Sequence, residues 1–157
     1  MYKLTYALYA TIVVLAVSAC ASVARPAATS TGKTDYRTIT DAATLDRLIA
    51  ELSMQGENPV LIDLRDGVDY ERAHAPRFLN VPNARSGEPF ATWIAPFRKD
   101  KYIILMCYGG NRSARAFEYL VVSGFTRVWD FSAGYESYAA AQGPSYVSEQ
   151  GSCDCPK

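Results

Sequence analysis

The chain has 157 residues, 49% of them hydrophobic and 20% charged, with 16 basic and 16 acidic side chains and one histidine. This length and composition suit one globular domain that buries its own core, and they exclude a repeat array or a charged disordered chain. A formal charge of zero provides no basic footprint, so no nucleic-acid partner is expected.

Residues 1 to 24, MYKLTYALYATIVVLAVSACASVA, carry one cation, Lys3, then an uncharged stretch from Leu4 to Ala19, then small residues. This pattern reads as an export signal, because the uncharged run is short against the roughly 20 apolar residues that a membrane span requires. Val17-Ser18-Ala19-Cys20 resembles the bacterial lipobox. That resemblance implies cleavage before Cys20, lipidation of its thiol, and a lipid anchor that holds the protein on the outer face of a membrane. Ala21 stands where an aspartate would direct retention at the inner membrane, which leaves an outer-membrane address open. The alternatives are cleavage after Ala21 or Ala24, giving a soluble periplasmic protein, and an uncleaved anchor. Each places the domain outside the cytoplasm. Removing residues 1 to 19 leaves 15 basic against 16 acidic side chains. Residues 25 to 35, RPAATSTGKTD, form a flexible tether to the domain that follows.

Thr38-Ile39-Thr40 reads as a short lead-in, and Thr40 or Asp41 caps a helix to about Met54 with Leu45, Leu48, Ile49 and Leu52 at helical spacing. Gly56 stops it. Val60 to Ile62 is a continuous apolar run suited to a buried parallel strand, Val68 to Ala73 a short helix, and Phe78 to Val81 a second strand bracketed by Pro76 and Pro82. A short helix is predicted over Trp93 to Phe97 and a central strand over Tyr102 to Met106. A helix from Arg112 to Val122 turns Ala116, Tyr119 and Leu120 inward and ends at Gly124. Val128 to Phe131 gives a last strand and Gly134 to Ala141 a final short helix. Strands alternating with helices argue a parallel α/β sandwich with its site at the carboxyl ends of the strands. Trp93, Phe97 and Trp129 are expected in the core or in pocket walls.

The run Cys107-Tyr108-Gly109-Gly110-Asn111-Arg112-Ser113 lies at that carboxyl edge. Glycines let successive amide N–H groups turn inward, and the unsatisfied amides of a first helical turn add roughly half a positive charge. Such an anion cradle can bring a thiol pKa down from about 8.5 towards roughly 3.5 to 7.5 and so prepare a nucleophile. Arg112 adds a planar set of donors for an oxyanion. A half-buried cysteine that merely ends a core strand is the bland alternative.

This loop resembles the active-site loop of rhodanese-type sulfurtransferases, and the rest of the chain supports the likeness. Leu61-Ile62-Asp63-Leu64-Arg65, Asp69-Tyr70, Ala73-His74-Ala75-Pro76 and Asn80-Val81-Pro82 are similar to the family's D-x-R, E-[FY] and G-H-I-P-G-A stretch and its continuation. Gly124-Phe125, Val128, Ala133-Gly134 and Tyr138 are similar to its G-F, strand and G-G-x-x-x-W ending. The resemblance covers about residues 36 to 141. Ala73, Arg77-Phe78, Ala133 and Tyr138 depart from the family pattern and put local turn geometry in question.

The resemblance implies a three-layer α/β sandwich around a central parallel sheet, and a thiosulfate sulfurtransferase working through a persulfide on Cys107. In that reading Cys107 and Arg112 are catalytic, Tyr108, Gly109, Gly110, Asn111 and Ser113 form the substrate cradle, and Arg65 is a candidate second cation. The partners are a small anionic sulfur donor and a cyanide or thiol acceptor, with no metal or other cofactor and no identified protein partner. Cysteine phosphatases carry C-x5-R, whereas Cys107 to Arg112 is C-x4-R; a phosphatase would further need a general acid, for which Asp63, Asp66, Asp69 and Asp130 are available. A phosphatase or arsenate reductase and a non-catalytic binding module are the alternatives. The resemblance places His74 in a structural turn, and Asp63 with Arg65 reads as an ion pair. Residues 142 to 157 form a tail ending in Cys153-Asp154-Cys155, whose thiols suit a strained disulfide, acceptor thiols, a soft metal, or no role.

Overall fold

The computed structural model describes residues 33–81 and 88–152. The signal segment with Cys20, most of the tether, Pro82 and the Cys153-Asp154-Cys155 tail lie outside the described residues. The elements run β1 (Asp35–Ile39), α1 (Ala42–Met54), β2 (Val60–Asp63), α2 (Gly67–Arg72), β3 (Leu79–Asn80), α3 (Glu88–Ile94), β4 (Ile103–Met106), α4 (Asn111–Val122), β5 (Arg127–Phe131) and α5 (Gly134–Ala141). The five strands form one parallel sheet in the order β1-β5-β4-β2-β3.

Strands buried on both faces explain the continuous apolar runs VLID and IILM, every residue of which is buried. One face, with Leu61, Ile104, Met106, Trp129 and Phe131, packs against Leu45, Leu48 and Leu52 of α1 and Tyr135 and Tyr138 of α5. The other, with Ile62, Ile103, Leu105 and Val128, packs against Phe90 and Ile94 of α3 and Ala116 and Leu120 of α4. The layers are therefore helix, sheet and helix, and β4 at the centre of the sheet delivers its carboxyl end to the loop before α4. Among the described residues no helix is long and apolar enough to cross a membrane.

Local chemistry sets the boundaries. The Asp41 side chain accepts from the Thr44 amide at 2.8 Å and starts α1. After α4, Gly124 at φ 85° lets its own amide bond the Val121 carbonyl and the Phe125 amide bond that of Leu120, closing the helix in a left-handed turn. Two expectations are corrected. The helix predicted over Trp93 to Phe97 instead occupies Glu88–Ile94, because Pro96 cannot continue a helix whereas Pro89 fits a first turn. Tyr119, expected inward, is 39% exposed at the rim, where it meets the edge of Phe90. The lead-in is a full edge strand that begins at Asp35.

The departures at the turns are accommodated unequally. Ala133 is in ordinary right-handed helical backbone and Ala73 is extended, so neither position requires glycine. Arg77 holds φ 69°, left-handed backbone that costs a residue with a Cβ about 1–2 kcal/mol. Tyr138 is buried and donates its hydroxyl to Asp46 at 2.9 Å.

Candidate active site

Cys107 follows the last residue of β4 and its side chain is buried, a free thiol. The Gly110 amide donates to its Sγ at 3.2 Å, and the Ser113 hydroxyl oxygen lies 3.6 Å from the same sulfur. Gly110 has φ 89°, and a Cβ there would stand 2.6 Å from the Ser132 carbonyl oxygen, so glycine is required on two counts. The loop is pinned from below as well: the Tyr135 amide donates to the Cys107 carbonyl at 2.8 Å. Gly134, at φ 78°, lies directly under the Tyr108 carbonyl. A tight backbone turn, held by α5, thus aims one amide at the sulfur.

Arg112 in the first turn of α4 spans the mouth. Its guanidinium donates to both oxygens of Asp66, at 3.0 and 3.2 Å, and to the Leu64 carbonyl at 3.2 Å. The bond to Asp66 raises its pKa further, and the neighbouring Cys107 acts in the same direction, which places the cation within the field of the sulfur. Its planar face lies over the Tyr108 ring, 4.9 Å from the centroid. The Tyr108 hydroxyl donates to Asp69 and receives the Asp66 amide at 3.2 Å; partial burial, then the bond to Asp69, raises its pKa. Tyr108 therefore forms a fixed wall of the mouth. Asn111 and Gly109 are exposed beside it, and Ser113 is buried behind Cys107.

Arg65, expected as a candidate second cation for substrate, is corrected. It is 2% exposed, donates to both oxygens of Asp63 and to the Ala73 carbonyl, and stacks on Tyr135 at 3.7 Å. Its charge is neutralised inside the fold, where it ties the end of β2 to the turn after α2. His74 is the turn residue it was expected to be: Nδ1 bonds the Tyr70 carbonyl at 2.8 Å, its ring stacks on Tyr70, and Nε2 faces Glu149. Trp129 is fully in the core on the α1 and α5 face of the sheet, while Trp93 and Phe97 are partly buried against the core on the opposite face.

Sequence reasoning missed the clasp that Asp66 and Asp69 make on Arg112 and Tyr108, because nothing in residue spacing foretells a contact across 42 or 46 positions. It weighed Asp130 only as a general acid. The available signal was one aspartate at an inward position of the apolar strand RVWDF.

The family description "Rhodanese-like domain" matches residues 42–141, well over half of the chain. The chain belongs to the rhodanese-like family. It is 32% identical over 88 residues to a thiosulfate sulfurtransferase GlpE of Pseudomonas savastanoi pv. phaseolicola, which spans 56% of this chain and 79% of that protein. It is 35% identical over 94 residues to a tRNA uridine(34) hydroxylase of an Enterobacter species, a match to 57% of this chain but only 27% of that protein. A rhodanese-like domain protein from Staphylococcus aureus, 23% identical, superimposes with a TM-score of 0.54 over 74% of this chain and 99% of its own. At that identity the likeness speaks to the fold, a rhodanese-like sandwich.

Proposed function

We propose that this rhodanese-like domain is an exported sulfurtransferase that moves sulfane sulfur from thiosulfate, or a related anionic donor, to a thiol or cyanide through a persulfide on Cys107. The reading is carried by the buried Cys107 sulfur facing the Gly110 amide inside a C-x4-R loop. The thiolate attacks the outer sulfur of the donor; a sulfur–sulfur bond forms, the bond to the sulfonate breaks, and sulfite leaves with the electron pair. The persulfide then gives its outer sulfur to the acceptor and the thiolate is regenerated. The loop amides offset the charge on the sulfur and Arg112 draws the donor's oxygens to the mouth. A phosphatase reading has less support, since Asp66 and Asp69 at the mouth are bound to Arg112 and Tyr108 and the loop is one residue short.

Export rests on the N-terminal segment, with Cys20 lipidated, the domain extracytoplasmic and the address periplasmic or outer-membrane. Intact-mass analysis of the protein recovered from envelope fractions, before and after thiosulfate, tests both parts. The expected result is a chain that begins at a lipidated Cys20 and gains one sulfur atom at Cys107. No added sulfur defeats the sulfur-transfer reading; an unlipidated Cys20 defeats the anchor alone.

Arg112→Lys keeps the charge but loses the planar fork that Asp66 holds in place. The expected outcome is a KM for thiosulfate raised by about tenfold, the loss of one charge-assisted contact, with kcat changed far less. Steady-state kinetics at saturating cyanide measure it, and an unchanged KM would remove Arg112 from donor binding.

A further inference from the structure

Behind Cys107 lies a buried acid that the sulfur-transfer cycle does not use. Val128 belongs to the core face that holds Leu105 and Cys107, so Asp130, two residues along β5, turns its side chain to that same face, beneath α4. Asp130 is 5% exposed and its Oδ1 is buried without a hydrogen-bond partner among the described residues. Its in-register neighbours Thr38 on β1 and Leu105 on β4 carry no charge. From α4, which packs over that face, the buried Ser113 is the neighbouring hydroxyl, and it opposes the rise that burial gives the Asp130 pKa. The Ser113 hydroxyl accepts from the Cys107 thiol at 3.6 Å and donates its proton to the Gly110 carbonyl at 3.1 Å. On the mouth side the charge near the sulfur is Arg112, which is itself bound to Asp66.

We propose that Asp130 stores the Cys107 proton and acts through the Ser113 hydroxyl, making it a positioning residue for the nucleophile. In the resting pair the Cys107 S–H donates to Ser113 Oγ and the Asp130 carboxylate is ionised. On activation the Ser113 hydroxyl turns its proton from the Gly110 carbonyl to Asp130; the S–H bond breaks with its electron pair left on sulfur, the proton passes to Ser113 Oγ, and the serine's own proton forms an O–H bond on Asp130. The Ser113 hydroxyl, now supported by a neutral carboxyl, donates to the thiolate. One negative charge is present before and after, so between the two titration steps the buried compartment does not hold thiolate and carboxylate together. Burial raises the Asp130 pKa, with Ser113 partly opposing it, which is the direction a proton store requires. The inference takes from the proposed function only that Cys107 reacts as a thiolate.

Two groups that share one proton titrate as a pair, and this gives the test. The full chain is alkylated with iodoacetamide from about pH 3 to about pH 10, a range bracketing free carboxyl and thiol values, and modification is read on the Cys107 peptide by mass spectrometry. The wild type is expected to react in two steps, separated by a stretch where the rate changes less than about twofold per pH unit. Asp130→Asn, nearly isosteric, is expected to give a single step with about a tenfold change per unit below its midpoint. Ser113→Ala should lower the rate on the flat stretch about tenfold, and Ser113→Thr, which keeps the hydroxyl, should restore it. Should Asp130→Asn fail to fold, the two Ser113 variants carry the test. A single-step wild type, superimposable wild-type and Asp130→Asn profiles, or an unaltered Ser113→Ala rate would each overturn the proposal. Iodoacetamide needs no sulfur donor, so a two-step profile in a protein that takes no sulfur from thiosulfate would defeat the sulfur-transfer reading and leave this one standing.

Discussion

Cys107→Ser is expected to lower sulfur transfer from thiosulfate to cyanide by at least about 10³-fold while the domain remains folded. The serine oxygen fits the space of the buried sulfur and can still receive the Gly110 amide, so the turn between β4 and α4 keeps its internal bonds. What disappears is the atom able to carry a second sulfur. A serine oxygen forms no stable adduct with sulfane sulfur, and no other described side chain stands in the loop to replace it. Thiocyanate production gives the rate, and far-UV circular dichroism with thermal melting verifies the fold. Turnover within tenfold of wild type in a correctly folded variant would show that the sulfur passes through some other group, and the assignment of Cys107 would fall.

Gly134→Ala is expected to lower the melting temperature by about 6 °C or more and to remove activity in the fraction that still folds. An added Cβ would stand 1.9 Å from the Tyr108 carbonyl oxygen and 2.7 Å from the Gly109 nitrogen, both backbone atoms of the loop that cannot rotate away. Left-handed backbone at φ 78° adds about 1–2 kcal/mol for any residue with a Cβ. Forcing the two segments apart adds about 1–3 kcal/mol, and each kcal/mol lowers the midpoint of a domain of this size by about 3–6 °C. Gly56→Ala separates the two costs, because Gly56 has φ 75° but no atom within 4 Å of the added carbon. It should cost only the backbone part and leave sulfur transfer intact. Equal melting temperatures for the two variants would mean that α5 does not brace the loop.

The order of elements could be read from the sequence because the signals there are local. Leu45, Leu48 and Leu52 at helical spacing behind Asp41, and the unbroken runs of β2 and β4, each require only near neighbours to be interpreted. α3 lies N-terminal to the stretch Trp93 to Phe97, because Pro89 suits the start of a helix and Pro96 its end. β1 was shortened because an edge strand with mostly exposed residues has no hydrophobic period to display. In the site, the cysteine, glycines and arginine of one heptapeptide were legible as a unit. The burial of Arg65 was not, since an arginine two residues after an aspartate looks the same whether the pair faces water or a tyrosine ring. The Asp66 and Asp69 clasp and the placement of Asp130 behind Ser113 depend on strands and helices brought together from distant parts of the chain.

The two margins of the sheet differ from its centre in a way that bears on crowding between molecules. β3 offers two residues for pairing, too few to template another strand, and β1 ends the other side with an ion pair between Asp35 and Arg37 and with Arg37 laid across Trp129. Short or charged borders discourage strand addition between neighbouring molecules. Neighbouring copies would therefore stay separate bodies instead of fusing through their backbones into a continuous ribbon.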